Sequence, residues 1–318
     1  MQLKPWRCTL ADAILEAAGL WFWYGEGAPV VRDVNLAIGP GEFVALVGAN
    51  GSGKTTLIKH FNGLLRPRRG QVRVAGQDAA GRSMGELARQ VGYLFQRPEQ
   101  QIFSPTVQQE LAFGPRNLGL AQAEIEARVE ATLARFRLTA VAGQPPAILS
   151  YGLRRRVTLA SLAAMDPPVL VLDEPTVGLD ARGLEETFDW LAELHGQGRT
   201  IVLVTHDMTL AAAHAGRVVV LGQGQVIADG PPAELFRQND LLARAALVPP
   251  PVTALAQALR AHGMRGDSLT VEAFCDEYVA LVEMQSSRGG SPVPHASGGH
   301  AAGPPGMGAR PAVSRSGT

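Results

Sequence analysis

The stretch Gly48-Ala49-Asn50-Gly51-Ser52-Gly53-Lys54-Thr55 restricts more than any other what this chain can fold into. It follows an apolar run at 43–47 and precedes a helix-compatible run at 56–62, so the sequence predicts strand, glycine-rich loop, helix. That context is what the pattern G-x-x-x-x-G-K-[ST] needs before it is read as a phosphate-binding loop. Small residues let successive backbone N–H groups wrap phosphate oxygens, and the positive end of the following helix adds to the attraction. Gly48, Asn50, Gly51, Ser52, Gly53 and Thr56 are therefore expected around the phosphates, with Lys54 reaching the outer ones and the Thr55 hydroxyl on Mg²⁺. A chance glycine-rich turn would lack the flanking strand and helix.

Composition excludes several classes. A length of 318 residues suits one large domain plus an appendage, or two modest domains. Lys plus Arg balances Asp plus Glu at 29 each, so the chain has no electrostatic bias toward nucleic acid or an anionic membrane. Cys8 and Cys275 lie far apart and belong to no metal or redox spacing, which predicts a reducing compartment. The longest apolar runs, 169–172 and 201–204, are far short of the roughly 20 residues of a membrane-spanning helix. The N-terminus has no signal-peptide pattern, so any membrane role is expected to come through a partner.

Further candidates sit at the ends of predicted strands. The aromatic group Trp21-Phe22-Trp23-Tyr24 breaks at Gly25, and Tyr24 is the ring best placed to stack on a base, the alternative being a core or strand-edge role. Strands are predicted at 30–38 and 71–75, with the cluster Arg66, Arg68, Arg69 read as solvated surface. Strand 91–95 ends at Gln96, whose carboxamide can touch Mg²⁺ or the attacking water. The proline-interrupted loop 97–105 can carry that contact elsewhere. Apolar residues at Ile125, Val129, Leu133 and Phe136 predict a helix over 121–138, in an insertion that suggests a separate helical lobe. Ser150 and Gly152, in Leu149-Ser150-Tyr151-Gly152-Leu153, resemble a helix start able to present N–H groups to an anion.

The run Val169-Leu170-Val171-Leu172-Asp173-Glu174 reads as a central parallel strand ending in two acids at the crevice where α/β sheets bind ligands. Asp173 is expected to hold Mg²⁺ through water and Glu174 to polarise the attacking water. Asp180 precedes a helix over 181–195, and strand 200–204 ends at His206, which can hydrogen-bond a γ-phosphate. A hairpin at 218–221 and 225–228 closes the core.

In that order and spacing, Tyr24, the loop 48–55, Gln96, segment 149–153, Asp173-Glu174, Asp180 and His206 resemble the ATP-binding subunit of an ABC transporter over residues 13–240. The run Phe95-Gln96-Arg97-Pro98-Glu99-Gln100-Gln101-Ile102-Phe103, then Thr106-Val107 and Ala112-Phe113-Gly114-Pro115, is similar to the ATPases of energy-coupling factor importers of cobalt, nickel and vitamins. Segment 247–282, with Pro250-Pro251-Val252-Thr253 and Leu269-Thr270-Val271-Glu272, is similar to their C-terminal extension.

The resemblance implies an α/β fold: a P-loop NTPase (RecA-like) core with a β-rich N-terminal part and an inserted helical subdomain at about 98–160. A small accessory segment at 241–285 and a disordered tail at 286–318 would follow. It implies ATP and Mg²⁺ as cofactors and a head-to-tail dimer at the cytoplasmic face of the membrane. Each ATP would lie between one protomer's Lys54, Thr55, Gln96, Asp173, Glu174 and His206 and the signature segment of the other, with Ser150 on the γ-phosphate. A transmembrane coupling subunit and a substrate-binding membrane subunit would complete the assembly, with no nucleic acid.

The family signature is usually Leu-Ser-Gly-Gly-Gln, whereas here Tyr151 and Leu153 stand at its third and fifth positions. If Tyr151 obstructs the backbone at the phosphate, this chain's partner is a different ATPase subunit; if the ring turns away, the change is neutral. A soluble, non-transport ABC-type ATPase would share the motifs but carry a coiled-coil insertion or a second cassette. A small-molecule P-loop kinase would not need Ser150, Asp180 and His206.

Overall fold

The computed structural model describes residues 12–287. Cys8, His295, His300 and most of the expected tail lie outside the described residues. Ten strands form two sheets: β1 (Leu15–Phe22), β2 (Val31–Ile38), β3 (Phe43–Val47), β4 (Arg69–Val74), β5 (Gln77–Asp78), β6 (Val91–Leu94), β7 (Val169–Asp173), β8 (Thr200–Val204), β9 (Arg217–Gly222) and β10 (Gln225–Gly230). The helices are α1 (Lys54–Ile58), α2 (Met84–Ala88), α3 (Val107–Asn117), α4 (Gln122–Arg135), α5 (Tyr151–Met165), α6 (Ala181–Gly196), α7 (Met208–His214), α8 (Pro232–Leu235), α9 (Asn239–Arg244), α10 (Pro251–Ala258) and α11 (Val271–Ser287).

The larger sheet has the order β10-β9-β3-β8-β7-β6, parallel except for β10. Every residue of β3, β7 and β8 is buried, as expected of strands covered on both faces. Strand alternation divides the core in two. Phe43, Ala45 and Val47 of β3 face one cluster with α3 to α6, whereas Val44 and Leu46 face another with the antiparallel sheet β2-β1-β4-β5 and α1. The inserted helices α3, α4 and α5 share their apolar cluster with β3, β7 and β8, so the lobe is built onto the sheet.

Three local features differ from the sequence reading. The helix after the loop spans only Lys54–Ile58, short of residue 62. Beyond it His60 N–H and Phe61 N–H donate to the carbonyls three residues back, which tightens the chain into turns. Arg66 is not mere surface charge: it donates to the Ala79 and Arg82 carbonyls, while Arg68 and Arg69 lie over the Trp23 ring. Finally, α11 continues to Ser287, two residues into the stretch expected to begin the tail. That helix is tied down through Glu277, which accepts from Arg265 N–H at 2.6 Å and the Ser268 hydroxyl at 2.9 Å.

Candidate active site

Register decides where the site lies. Leu46 and Asp173 both pair with Val204, Val47 pairs with Val220, and Leu94 with Leu172. The carboxyl ends of β3, β8, β7 and β6 are therefore level, and each is followed at once by a candidate: the loop at Gly48, His206, Asp173-Glu174 and Gln96. Ligands of open α/β sheets bind at this edge.

A cavity of about 210 Å³ opens there, lined by Val30, Asn50, Gly51, Ser52, Gly53, Lys54, Thr55, Thr56, Gln96, Asp173 and Glu174. The loop's shape depends on Gly53, which caps α1 at φ 100° with the Val30 carbonyl 2.8 Å from where a Cβ would stand. Gly48 contributes through its carbonyl, which accepts from Lys54 Nζ at 2.7 Å; the Ala49 carbonyl accepts from the same ammonium at 3.0 Å. Burial lowers the Lys54 pKa, and the charges of Glu174 and Asp173 oppose that shift.

On the opposite wall the Thr55 hydroxyl donates to Asp173 Oδ2 at 2.8 Å, and the Tyr93 hydroxyl donates to the same oxygen at 3.3 Å. Asp173 Oδ1 is buried without a hydrogen-bond partner among the described residues. Burial raises the Asp173 pKa despite the Thr55 bond, and burial beside Asp173 pushes the Tyr93 phenol far above its usual range. Among the described residues no group of three or more His, Cys, Asp or Glu could hold a metal. The oxygens of Thr55, Asp173 and Gln96 instead suit Mg²⁺, which binds one or two carboxylates and shares its other positions with phosphate and water.

Glu174 sits at φ 49°, a left-handed conformation that costs energy for any residue but glycine and that clusters at functional sites. Its Oε1 bonds His206 Nδ1 at 2.8 Å, while Oε2 is buried and unpartnered. A neutral imidazole carries one proton, so donation of Nδ1–H to Glu174 leaves Nε2 an acceptor; donation to phosphate as well requires the imidazolium. Tyr24 stands outside the cavity, half exposed, joined to it by a 3.2 Å hydrogen bond to Thr56 Oγ1 and by an edge-to-face contact with Phe22.

Residues 31–177 match the ABC transporter family. The chain is 39% identical over 272 residues to the energy-coupling factor transporter ATP-binding protein EcfA of Methanothermobacter thermautotrophicus, covering 85% of this chain and 88% of that one. This chain belongs to the ABC transporter ATP-binding family. It is 42% identical over 245 residues to an ABC transporter ATP-binding protein of Methanosarcina acetivorans, of which it spans only 40%. The solved structure of CbiO1 from Clostridium perfringens, described as part of the ABC transporter complex CbiONQ, aligns with a TM-score of 0.63 at 35% identity, over 73% of this chain and 94% of that one. The expected P-loop ABC fold and ATPase class are thereby borne out.

In this ABC ATPase the three remaining candidates lie apart from the cavity. Ser150 is exposed and caps α5, accepting from Leu153 N–H at 3.4 Å. Gly152 follows in the first turn of α5. Asp180 is exposed, caps α6 by accepting from Gly183 N–H at 2.7 Å, and pairs with Arg156 at 3.3 Å. The Gly183 bond chiefly, with Arg156 adding to it, holds the Asp180 carboxyl below its usual range. Tyr151 turns toward its own chain: its ring lies so close to Gly178 that a Cβ there would collide with it. Sequence reasoning missed Tyr93 and Arg155. Arg155 carried a signal, since it falls on the buried stripe of α5 with Thr158, Leu159 and Leu162.

Proposed function

We propose that this chain is the ATP-hydrolysing subunit of an energy-coupling factor importer, paired with a second ATPase subunit. Together they would drive a transmembrane coupling subunit and a substrate-binding membrane subunit from the cytoplasmic face. One observation carries the reading: the chain holds half a site. Lys54, Asp173 and the Glu174–His206 pair converge on one cavity, while Ser150, Gly152 and Asp180 stand away from it, two of them exposed. A partner protomer's signature segment would complete the site. Tyr151 packs inward, so a copy of this chain could serve as that partner as well as a different subunit.

The Glu174 carboxylate accepts a proton from water as the water oxygen attacks the γ-phosphorus; the bond to the β–γ bridging oxygen breaks, giving ADP and inorganic phosphate. Lys54 and the loop amides meet the charge on the phosphate oxygens. Held by Thr55 and Asp173 with Gln96, Mg²⁺ would supply charge neutralisation at the β- and γ-phosphates. His206 fixes the Glu174 carboxylate through Oε1 and, as the imidazolium, would donate to the γ-phosphate through Nε2. Past Gln96, the exposed rings of Phe103 and Phe113 meet edge to face at 4.5 Å and offer an apolar contact to a membrane subunit. The cargo, a transition-metal ion or vitamin in the systems this chain resembles, would be selected by the membrane component. The inserted helices, of 11, 14 and 15 residues, are too short for the coiled-coil arm of a soluble ABC-type ATPase.

The test is phosphate release by the purified chain with its cognate subunits. Glu174→Gln is expected to lower turnover by about 10²-fold or more while ATP binding persists. Unchanged turnover would reject Glu174 as the base, and failure to co-purify with any membrane subunit would reject the transporter role.

A further inference from the structure

Arg155 is fully buried and has no carboxylate within ion-pair distance among the described residues. All three guanidinium nitrogens are nevertheless spent on the backbone. Nη1 donates to the Phe95 carbonyl at 2.8 Å, Nη2 to the Gln96 carbonyl, and Nε to the Val177 carbonyl at 3.4 Å. Four residues before it on the same helix, the Tyr151 ring covers Gly178, the neighbour of Val177. Arg155 on α5 thus ties that helix, which starts beside Ser150, to two segments that the nucleotide reaction uses: the end of β6 at Gln96 and the loop between Glu174 and Asp180.

Burying a cation that has no carboxylate partner is costly. Core filling therefore does not explain an arginine here. Its planar fork does: a set of donors in fixed directions can hold three carbonyls of two backbone segments in one geometry, which a lysine ammonium cannot.

We propose that Arg155 is a positioning residue for ATP hydrolysis: it locks the backbone of Gln96 and the loop after Glu174 to α5, one turn in from Ser150. In this chain the Tyr151 ring, packed on Gly178, adds a contact between the signature segment and the same loop. The proposal rests on the ATPase reading above. The Gln96 carboxamide and the Glu174 carboxylate then keep one spacing, and movement of Gln96 carries the Ser150 end of α5 with it.

Steady-state hydrolysis by the full chain with its cognate subunits, together with thermal melting, tests this. Arg155→Lys is expected to lower kcat by about tenfold or more with KM for ATP little changed, because misplacing catalytic groups harms turnover more than binding. Arg155→Met leaves three carbonyls without their donor and is expected to melt below the parent, yet to lose kcat as Arg155→Lys does when assayed well below its melting temperature, separating positioning from folding. Tyr151→Ala removes the ring over Gly178, for a fall of about fivefold. Added to Arg155→Lys it is expected to cost nothing more, as for two members of one network. The proposal is overturned if Arg155→Met or Arg155→Lys retains the parent kcat, if the loss tracks the folded fraction, or if the Tyr151 and Arg155 effects simply add. An unsubstituted chain that hydrolyses no ATP overturns this proposal and the function together, whereas parent-like hydrolysis by the Arg155 variants overturns this one alone.

Discussion

Tyr24, Phe22 and His60 form a line of rings leading away from the nucleotide cavity, each meeting the next edge to face at 4.9 Å. Behind them His60 Nδ1 bonds the Thr56 carbonyl at 2.8 Å, so the ring that would carry a base is anchored to the phosphate loop twice, through Thr56 Oγ1 and through this stack. Base–aromatic stacking is worth about 1–3 kcal/mol. Tyr24→Ala is therefore expected to weaken ATP binding by that amount in calorimetry and Tyr24→Phe to keep most of it; an unchanged Kd in Tyr24→Ala would remove Tyr24 from the site. At this scale the sequence was most legible where a candidate ended a strand, as Gln96, Asp173, Glu174 and His206 do, since strand ends share one edge whatever lies between them. Tyr93 and Arg155 were hidden because their partners come from afar. Tyr93 meets Asp173 from 80 residues away, and Arg155 meets Phe95 across 60.

Among the elements, the fully apolar runs of β3, β7 and β8 were readable as central strands, whereas the length of α1 was not, because turn bonds at His60 and Phe61, which no periodicity signals, end it early. Nor could the sequence reveal what holds the two sheets together. Arg217, buried at the start of β9, donates to both carboxylate oxygens of Asp229 on β10 at 2.7 Å, to Glu42 Oε2 at 2.8 Å and to the Ala37 carbonyl at the end of β2 at 2.9 Å. The bonds to Asp229 and Glu42 outweigh burial and raise the Arg217 pKa, so the guanidinium stays charged at any working pH. Arg217→Met leaves two carboxylates without their cation, a loss of about 3–5 kcal/mol by analogy with other broken buried pairs. Urea unfolding measures it, and a variant as stable as the parent would show that the sheets are held by apolar packing alone.

For the molecule as a whole, the candidates divide into a set that meets around one cavity and a set at the helix starts of α5 and α6, away from it. The motif order already carried that division, but a single chain's sequence cannot say which surfaces face each other. The structure adds that Tyr151, the residue that departs from the family signature, packs on Gly178 of its own protomer. Its effect is therefore expected within the chain rather than across a dimer interface. The central claim is that ATP is bound between two protomers, and the most direct measurement is light scattering on the Glu174→Gln protein with ATP and Mg²⁺, alone and mixed with its cognate ATPase subunit. The account predicts nucleotide-dependent doubling of the protomer mass, lost when Ser150→Ala is introduced into the partner contributing the signature. A protein that binds ATP yet stays monomeric in every mixture would contradict it.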